Sequence, residues 1–249
     1  MTRQQDSPIL AAQAERTLVY EMDRQLAAWT ADADRKAVFL GCYTMMTKNM
    51  YAAVAREEFM DAAWVRRLLE RFAHYYFDAL RVYVNNPDQA LHVWRMAHDA
   101  ARTPSVTPVQ LLFLGVNAHI NYDLVLAVEE LLAPDWRELH GAQREARFDD
   151  YSQVNAIIAR TIDAVQDDVL SPAMPSLGVV DALMGRLDEL LISTLLTRWR
   201  DDVWQWSLKL LDAGAGPKRD ALLCDLDAHV IGRAEVLLSP DWRNFHRLF

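Results

Sequence analysis

The segment Thr107–Leu132, TPVQLLFLGVNAHINYDLVLAVEELL, constrains the fold more than any other part of the chain. It is apolar on nearly every side, a pattern that predicts a helix buried at the centre of a helical bundle. Thr107 is a suitable N-cap, Pro108 fits the first helical position, and Pro134 lies just beyond the end. We therefore expect the remaining helices to pack around residues 108–132.

Polar residues interrupt this apolar helix and, at about 100° per residue, fall into two stripes on nearly opposite sides. One stripe contains Gln110, Asn117 and Asn121, and the other contains His119, Asp123 and Glu130. An unpaired buried polar group costs roughly 1–3 kcal/mol, so the stripes require either hydrogen-bond partners or a functional site. Gly115, one turn before His119, predicts the close approach of a helix or a ligand.

Helical periodicity continues through the rest of the chain, and no clear alternating strand pattern occurs. The expected helices begin near Ser7-Pro8, Asp34, Asp61, Asn86-Pro87, Asp149 or Asp150, Val179 and Asp220. The inward stripe of 179–212 becomes polar at Arg198 and Gln205, so that helix should either break near Arg200 or face a polar cavity. The sequence thus predicts an all-α, single-domain bundle of about eight helices over residues 1–249.

Composition excludes several classes of function. Hydrophobic residues make up 52% of the chain and charged residues 24%, which suits a globular protein with a substantial core. The net charge of −9 argues against nucleic acid or an anionic membrane as a partner. The two cysteines, Cys42 and Cys224, have no metal-ligand spacing and favour a reducing, cytoplasmic setting. The polar N-terminus predicts no signal peptide, and the interrupted central segment predicts no ordinary membrane span.

The sequence NAHINYDL at 117–124 resembles a motif, Asn-Ala-His-Ile-Asn-x-Asp-Leu, that marks a bacterial and fungal family of unknown function. The resemblance extends over roughly residues 40–210 and includes Phe59, Asp61, Phe72, Tyr75, Tyr76, Trp94, Gln110, Asp150, Val154, Asn155, Arg200 and Trp204. It implies an all-helical fold and singles out His119, Asn121, Asp123, Asp150 and Asn155 as family features. It implies no reaction.

His119 and Asp123 lie one helical turn apart, so both side chains can address one ion or one substrate. With Asn117 and Asn121 they form the predicted catalytic set. Asp150 and Asn155 can add oxygen ligands from another helix, which makes His119, Asp123, Asp150 and Asn155 the predicted ligands of a divalent metal. Mixed nitrogen and oxygen ligands suit zinc, iron or manganese, and an oxygen-only subset suits magnesium. Without a metal, His119 held by Asp123 would be a general acid or base.

The leading hypothesis is a metal-assisted enzyme acting on a small, largely apolar metabolite. Its most concrete form is a noncanonical enzyme that resembles terpene cyclases and ionises and cyclises an isoprenyl diphosphate; an ordinary terpene cyclase is excluded, because no intact DDxxD motif occurs. The sequences DDYSQ at 149–153 and DDVWQ at 201–205 are incomplete versions of the aspartate-rich DDxxD motif. The predicted substrate-binding residues are Arg198 and Arg200 for the phosphates and Tyr43, Tyr76 and Trp204 for the apolar part.

Two alternatives remain open at this point. The first is a metal-dependent hydrolase that uses a water activated by His119. The second is a non-catalytic binding protein or helical scaffold, in which the polar stripes only fix packing. No nucleophile-elbow, Walker or Rossmann motif occurs. The sequence leaves the oligomeric state open.

Overall fold

A computed structural model describes residues 8–165 and 189–240. The α-helices are α1 (Pro8–Ala31), α2 (Ala37–Ala55), α3 (Ala62–Asn85), α4 (His92–Ala101), α5 (Pro108–Ala118), α6 (Leu124–Leu132), α7 (Gly141–Val165), α8 (Glu189–Ala213) and α9 (Pro217–Leu238). A 3-10 turn, Pro87–Gln89, precedes α4, and a π-helical turn, His119–Asp123, joins α5 to α6. No strand occurs within the described ranges, and the predicted all-α fold is confirmed.

The central rod, defined as α5, the π turn and α6, is the predicted helix over residues 108–132. The Thr107 side chain accepts a hydrogen bond from the Gln110 N–H, and the Gln110 side chain accepts one from the Thr107 N–H. This reciprocal capping box fixes the start of the rod. Helices α2, α3, α4, α8 and α9 all pack directly on the rod. Val125 and Val128 of α6 are fully buried, so the rod is the centre of the hydrophobic core.

By length and composition the central rod is apolar enough to cross a membrane. However, 83% of its most apolar 18-residue window is buried inside the bundle. Such burial is typical of the core helix of a helical bundle. The predicted cytoplasmic localisation stays a prediction.

Gly115 permits a close approach between α2 and the central rod. A Cβ atom at this position would lie 2.4 Å from Cγ of Phe39, well inside van der Waals contact. The Phe39 ring therefore occupies the space that any larger residue at position 115 would need. The close approach predicted from Gly115 is confirmed, and the approaching group is a helix.

Three helix predictions were wrong in detail. Helix α7 begins at Gly141, well before Asp149, because residues 142–147 favour a helix without forming an apolar stripe. The α4 helix begins at His92, since Pro87 starts only a 3-10 turn. Helix α8 neither breaks near Arg200 nor turns a polar face inward. The predicted start of α8 at Val179 lies outside the described residues.

The buried stripe of α8 explains the error at Arg200. It consists of Ile192, Leu195, Trp199, Val203, Ser207 and Leu210. Arg198 and Gln205 are exposed, because this stripe lies on a different side of the helix from the one extrapolated from residues 183–194. Arg200 itself is buried next to the stripe, which is important for the site described below.

Candidate functional site

His119 and Asp123 form a buried pair at the two ends of the π turn. The His119 Nδ1 atom lies 3.0 Å from Asp123 Oδ2. Trp94 of α4 donates its indole N–H to the same carboxylate, at 3.1 Å and 3.2 Å from the two oxygens. All three residues are at most 2% exposed. Asp123 therefore holds the imidazole through Nδ1, and Trp94 holds Asp123.

The π turn is a local departure from the α-helix. The backbone N–H of Leu124 donates to the carbonyl of His119, the i to i+5 pattern of a π-helix. Such turns within α-helices occur frequently at functional sites. Here the turn contains both members of the His119–Asp123 pair. The local geometry of the rod is thus altered at the position where its polar pair is placed.

Aromatic side chains surround the His119 imidazole. The Phe72 ring stacks on it with a centroid separation of 3.5 Å and an interplanar angle of 6°. The Tyr43 ring meets it edge-on, with centroids 4.4 Å apart. Rings somewhat farther away, with centroids at 5.8–6.0 Å, belong to Phe39, Tyr76 and Trp94. The Nε2 atom of His119 is buried and has no hydrogen-bond partner among the described residues.

Burial sets the protonation behaviour of the pair. It lowers the pKa of His119 well below its usual value, because the imidazolium form is poorly solvated. Burial also raises the pKa of Asp123 well above its usual value, and the hydrogen bond from Trp94 opposes this effect. His119 is therefore a neutral imidazole near neutral pH. When Nδ1 carries the proton donated to Asp123, the Nε2 lone pair can accept a proton.

A cavity of about 170 Å³ lies beside His119, between α2, α3, α5, α7 and α8. Most of its wall is apolar, and this part includes Met46, Met50, Leu69, Phe72, Phe113, Val116, Val154, Ile158, Ile192 and Leu196. Its polar wall residues include Thr47, Asp150, Thr161, Arg200 and His119 itself. For comparison, an engineered apolar cavity of about 150 Å³ stays dry and binds benzene. The cavity therefore has the size and lining that suit a small apolar molecule.

The other predicted metal ligands have partners of their own. The two carboxylate oxygens of Asp150 accept the backbone N–H groups of Met60 and Asp61, each at 2.7 Å. Asn155 Oδ1 accepts a hydrogen bond from Nε of Arg200 at 2.8 Å. Within residues 8–165 and 189–240, no three His, Cys, Asp or Glu side chains are grouped so as to hold a metal ion. The divalent metal stays a prediction.

The predicted catalytic asparagines lie on the other side of the rod. Asn117 Nδ2 donates to the carbonyl of Val230 in α9 at 2.9 Å, and Asn121 Nδ2 donates to Asn117 Oδ1 at 2.9 Å. Gln110 Nε2 similarly donates to the Leu237 carbonyl of α9 at 2.8 Å. The first polar stripe thus docks α9, and the structure does not bring Asn117 and Asn121 to His119.

The predicted substrate-binding residues lie in several different places. Tyr43 and Tyr76 lie around His119, as described above. Trp204 belongs to a different aromatic cluster, with ring contacts to Trp136, Phe148 and Tyr151. Arg198 is exposed, whereas Arg200 is buried in the cavity wall. The five residues therefore do not form one substrate pocket.

Sequence reasoning singled out Trp94 but missed its role as the partner of Asp123. The signal available was the carboxylate itself, because a buried Asp requires a donor. The sequence does not say which donor, since the docking of α4 on the rod is a long-range packing result. The stacking of Phe72 on His119 was missed for the same reason.

Together these features define an all-α helical bundle whose central rod carries a buried His–Asp pair beside an apolar cavity. The chain belongs to a family described as a "Family of unknown function (DUF5995)", whose model matches residues 16–240. The family resemblance inferred from the sequence is confirmed, while the role of NAHINYDL as its marker stays a prediction. Searches of curated proteins and of solved structures found no match.

Proposed function

We propose that this protein is an enzyme that binds a small, largely apolar metabolite in the cavity and exchanges a proton with it through His119. One observation carries the proposal. His119 lines an apolar cavity, Asp123 holds its Nδ1, and its Nε2 has no protein partner in the described ranges. A buried polar atom without a partner is costly, and a ligand atom at Nε2 would remove that cost.

The surrounding residues have distinct roles in this proposal. Asp123 orients the imidazole and sets its tautomer, and Trp94 orients Asp123. Phe72 and Tyr43 fix the plane of the ring. The apolar wall keeps bulk water away from the reacting atoms, and a neutral His119 with a free lone pair acts first as a base. A positioned acid or base typically accelerates a reaction by about 10²–10⁴-fold.

The isoprenyl diphosphate version of the hypothesis has less support. A diphosphate carries several negative charges, whereas the described wall of the cavity offers a single guanidinium, that of Arg200. That group already donates to Asn155 and to the Tyr151 carbonyl. The hydrolase version with a metal-bound water has less support as well, because both oxygens of Asp150 are occupied by backbone N–H groups.

The experiment compares wild type with His119→Gln and with a control, His74→Gln, which changes an exposed histidine on α3. The probes are ketones, esters and carboxylic acids of about six to ten carbons, chosen to match the cavity volume. Binding is measured by the shift in melting temperature. Proton transfer is measured by NMR, as deuterium incorporation into the probe in D₂O or as its conversion.

We expect at least one probe to raise the melting temperature and to exchange or react in wild type and in His74→Gln. In His119→Gln the reaction should fall at least 10²-fold while the protein stays folded. Binding without any reaction would support the non-catalytic binding protein instead. If no probe binds, the proposal is wrong.

A further inference from the structure

Arg200 is a buried cation that forms no close ion pair in the described part of the chain, and the Asp201 carboxylate acts on it only from a longer distance. Its side chain is 4% exposed and lines the cavity. Nε donates to Asn155 Oδ1 at 2.8 Å, Nη2 donates to the Tyr151 carbonyl at 2.6 Å, and the Tyr151 ring lies 4.3 Å from the guanidinium carbon. All these partners are neutral. None of the ion pairs within 4.0 Å in the described ranges involves Arg200.

A buried guanidinium normally requires an anion or a full set of hydrogen bonds, because desolvating a charge is expensive. Arg200 has five N–H donors, and its hydrogen bonds to described residues named above use two of them. Asp150, which also lines the cavity, forms no ion pair with Arg200, and its oxygens accept hydrogen bonds from the backbone N–H groups of Met60 and Asp61. The wall of the cavity therefore contains a buried guanidinium that forms no close ion pair with a described carboxylate.

Trp64 supplies a second donor in the same wall. It is 1% exposed, and its indole N–H has no acceptor among the described residues. The Trp64 backbone is linked by hydrogen bonds to the segment of α7 that contacts Arg200. The Trp64 backbone N–H donates to Asp61, the Asp61 N–H donates to Asp150, and Asp150 precedes Tyr151, whose carbonyl accepts from Arg200.

We infer that the ligand of this cavity is a small apolar carboxylate, whose two oxygens bind Arg200 and the indole N–H of Trp64. This inference rests on the proposed function, because it names the substrate class of the same cavity. Carboxylates match the planar geometry of guanidinium donors, and such charge-assisted hydrogen bonds are stronger than neutral ones. The hydrocarbon part lies along Met46, Phe113 and Leu196, in the cavity that His119 also lines.

The test is a calorimetric titration of the full chain at pH 7 with hexanoate and, separately, with 1-hexanol, which has the same chain length and no charge. In wild type we expect hexanoate to bind at least tenfold more tightly than hexanol. Arg200→Gln should abolish this preference, because it should lower the affinity for hexanoate and leave the affinity for hexanol unchanged. Arg160→Gln, which removes an exposed arginine of α7, is the control and should keep the preference.

Trp64→Phe keeps an aromatic ring and removes only the indole N–H, so it also tests the site if Arg200→Gln does not fold. This variant should lower the affinity for hexanoate about three- to tenfold and leave the affinity for hexanol unchanged. Equal affinities in wild type would overturn the carboxylate inference but keep the apolar ligand of the proposed function. A preference that persists in Arg200→Gln would also overturn it. Failure of both probes to bind would overturn the carboxylate inference, and failure of the ketones and esters named above as well would overturn the proposed function.

Discussion

At the scale of single residues, burial gives ordinary side chains unusual behaviour, and His98 is an example outside the His119 pair. His98 is 4% exposed and lies between the rings of Tyr83 and Trp94. Burial, and to a lesser degree the charge of Lys36, lowers its pKa to about 4. In the unfolded chain the same histidine binds its proton near its ordinary pKa of 6.5.

This difference predicts how stability depends on pH. Between pH 6.5 and about 4 the unfolded state binds the proton and the folded state does not, so the free energy of unfolding falls as the pH falls. The loss from His98 alone is at most about 3 kcal/mol over that range. Urea unfolding at several pH values should show a smaller loss in His98→Phe than in wild type. An identical pH dependence in the two proteins would contradict the assignment.

Gly115 gives a second residue-scale prediction. Gly115→Ala should lower the free energy of unfolding by about 1–3 kcal/mol, because the new methyl group collides with Phe39. Gly232→Ala in α9 is the matched control, since nothing lies within 4 Å of the added Cβ. That control should be neutral or stabilising by up to about 1 kcal/mol. If the two variants lose equal stability in chemical denaturation, the close contact is not the cause.

At the scale of elements, the sequence predicted the rod and its two polar stripes but not their partners. The rod could be predicted because its signals are local: residues 108–132 are apolar, Thr107 is an N-cap residue and Pro108 fits the first helical position. The π turn was not predicted, because the order of polar and apolar residues over five positions does not distinguish it from an α-helix. The contact of Asn117 with α9 and that of Asp123 with α4 depend on packing between distant segments, which a single sequence does not specify.

Asn117 distinguishes a docking role from the catalytic role predicted from sequence. Asn117→Ala removes the hydrogen bond to the Val230 carbonyl and should cost about 1–3 kcal/mol. Hydrogen exchange in α9 should become faster, while hexanoate affinity stays within about twofold. Asn85→Ala, at the exposed end of α3, is the control and should change neither quantity. If Asn117→Ala loses hexanoate binding while hydrogen exchange in α9 stays unchanged, Asn117 belongs to the ligand site instead.

At the scale of the whole molecule, the cavity is a cost to stability that packing alone does not explain. At about 24 cal/mol per Å³, a cavity of about 170 Å³ corresponds to roughly 4 kcal/mol. This is a large fraction of the 5–15 kcal/mol that is typical of folded domains. A ligand that fills this space among the described residues would offset such a cost.

A larger side chain that fills the cavity should raise the stability of the protein and weaken ligand binding. Val154→Met places a flexible apolar side chain into the cavity and should raise the free energy of unfolding by about 0.5–2 kcal/mol. The same change should weaken hexanoate at least tenfold. Val82→Met, on the exposed surface of α3, is the matched control and should leave both values nearly unchanged. Tighter hexanoate binding in Val154→Met would contradict this position for the ligand.

The most direct test of the central claim is an NMR titration of histidine-labelled protein with hexanoate and with 1-hexanol. We expect at least one probe to shift the ring signals of His119 and to give intermolecular contacts to His119 and Phe72. The signals of the exposed His74 should stay unchanged. A probe that binds without any change or contact at His119 would contradict the claim that this imidazole forms part of the ligand site.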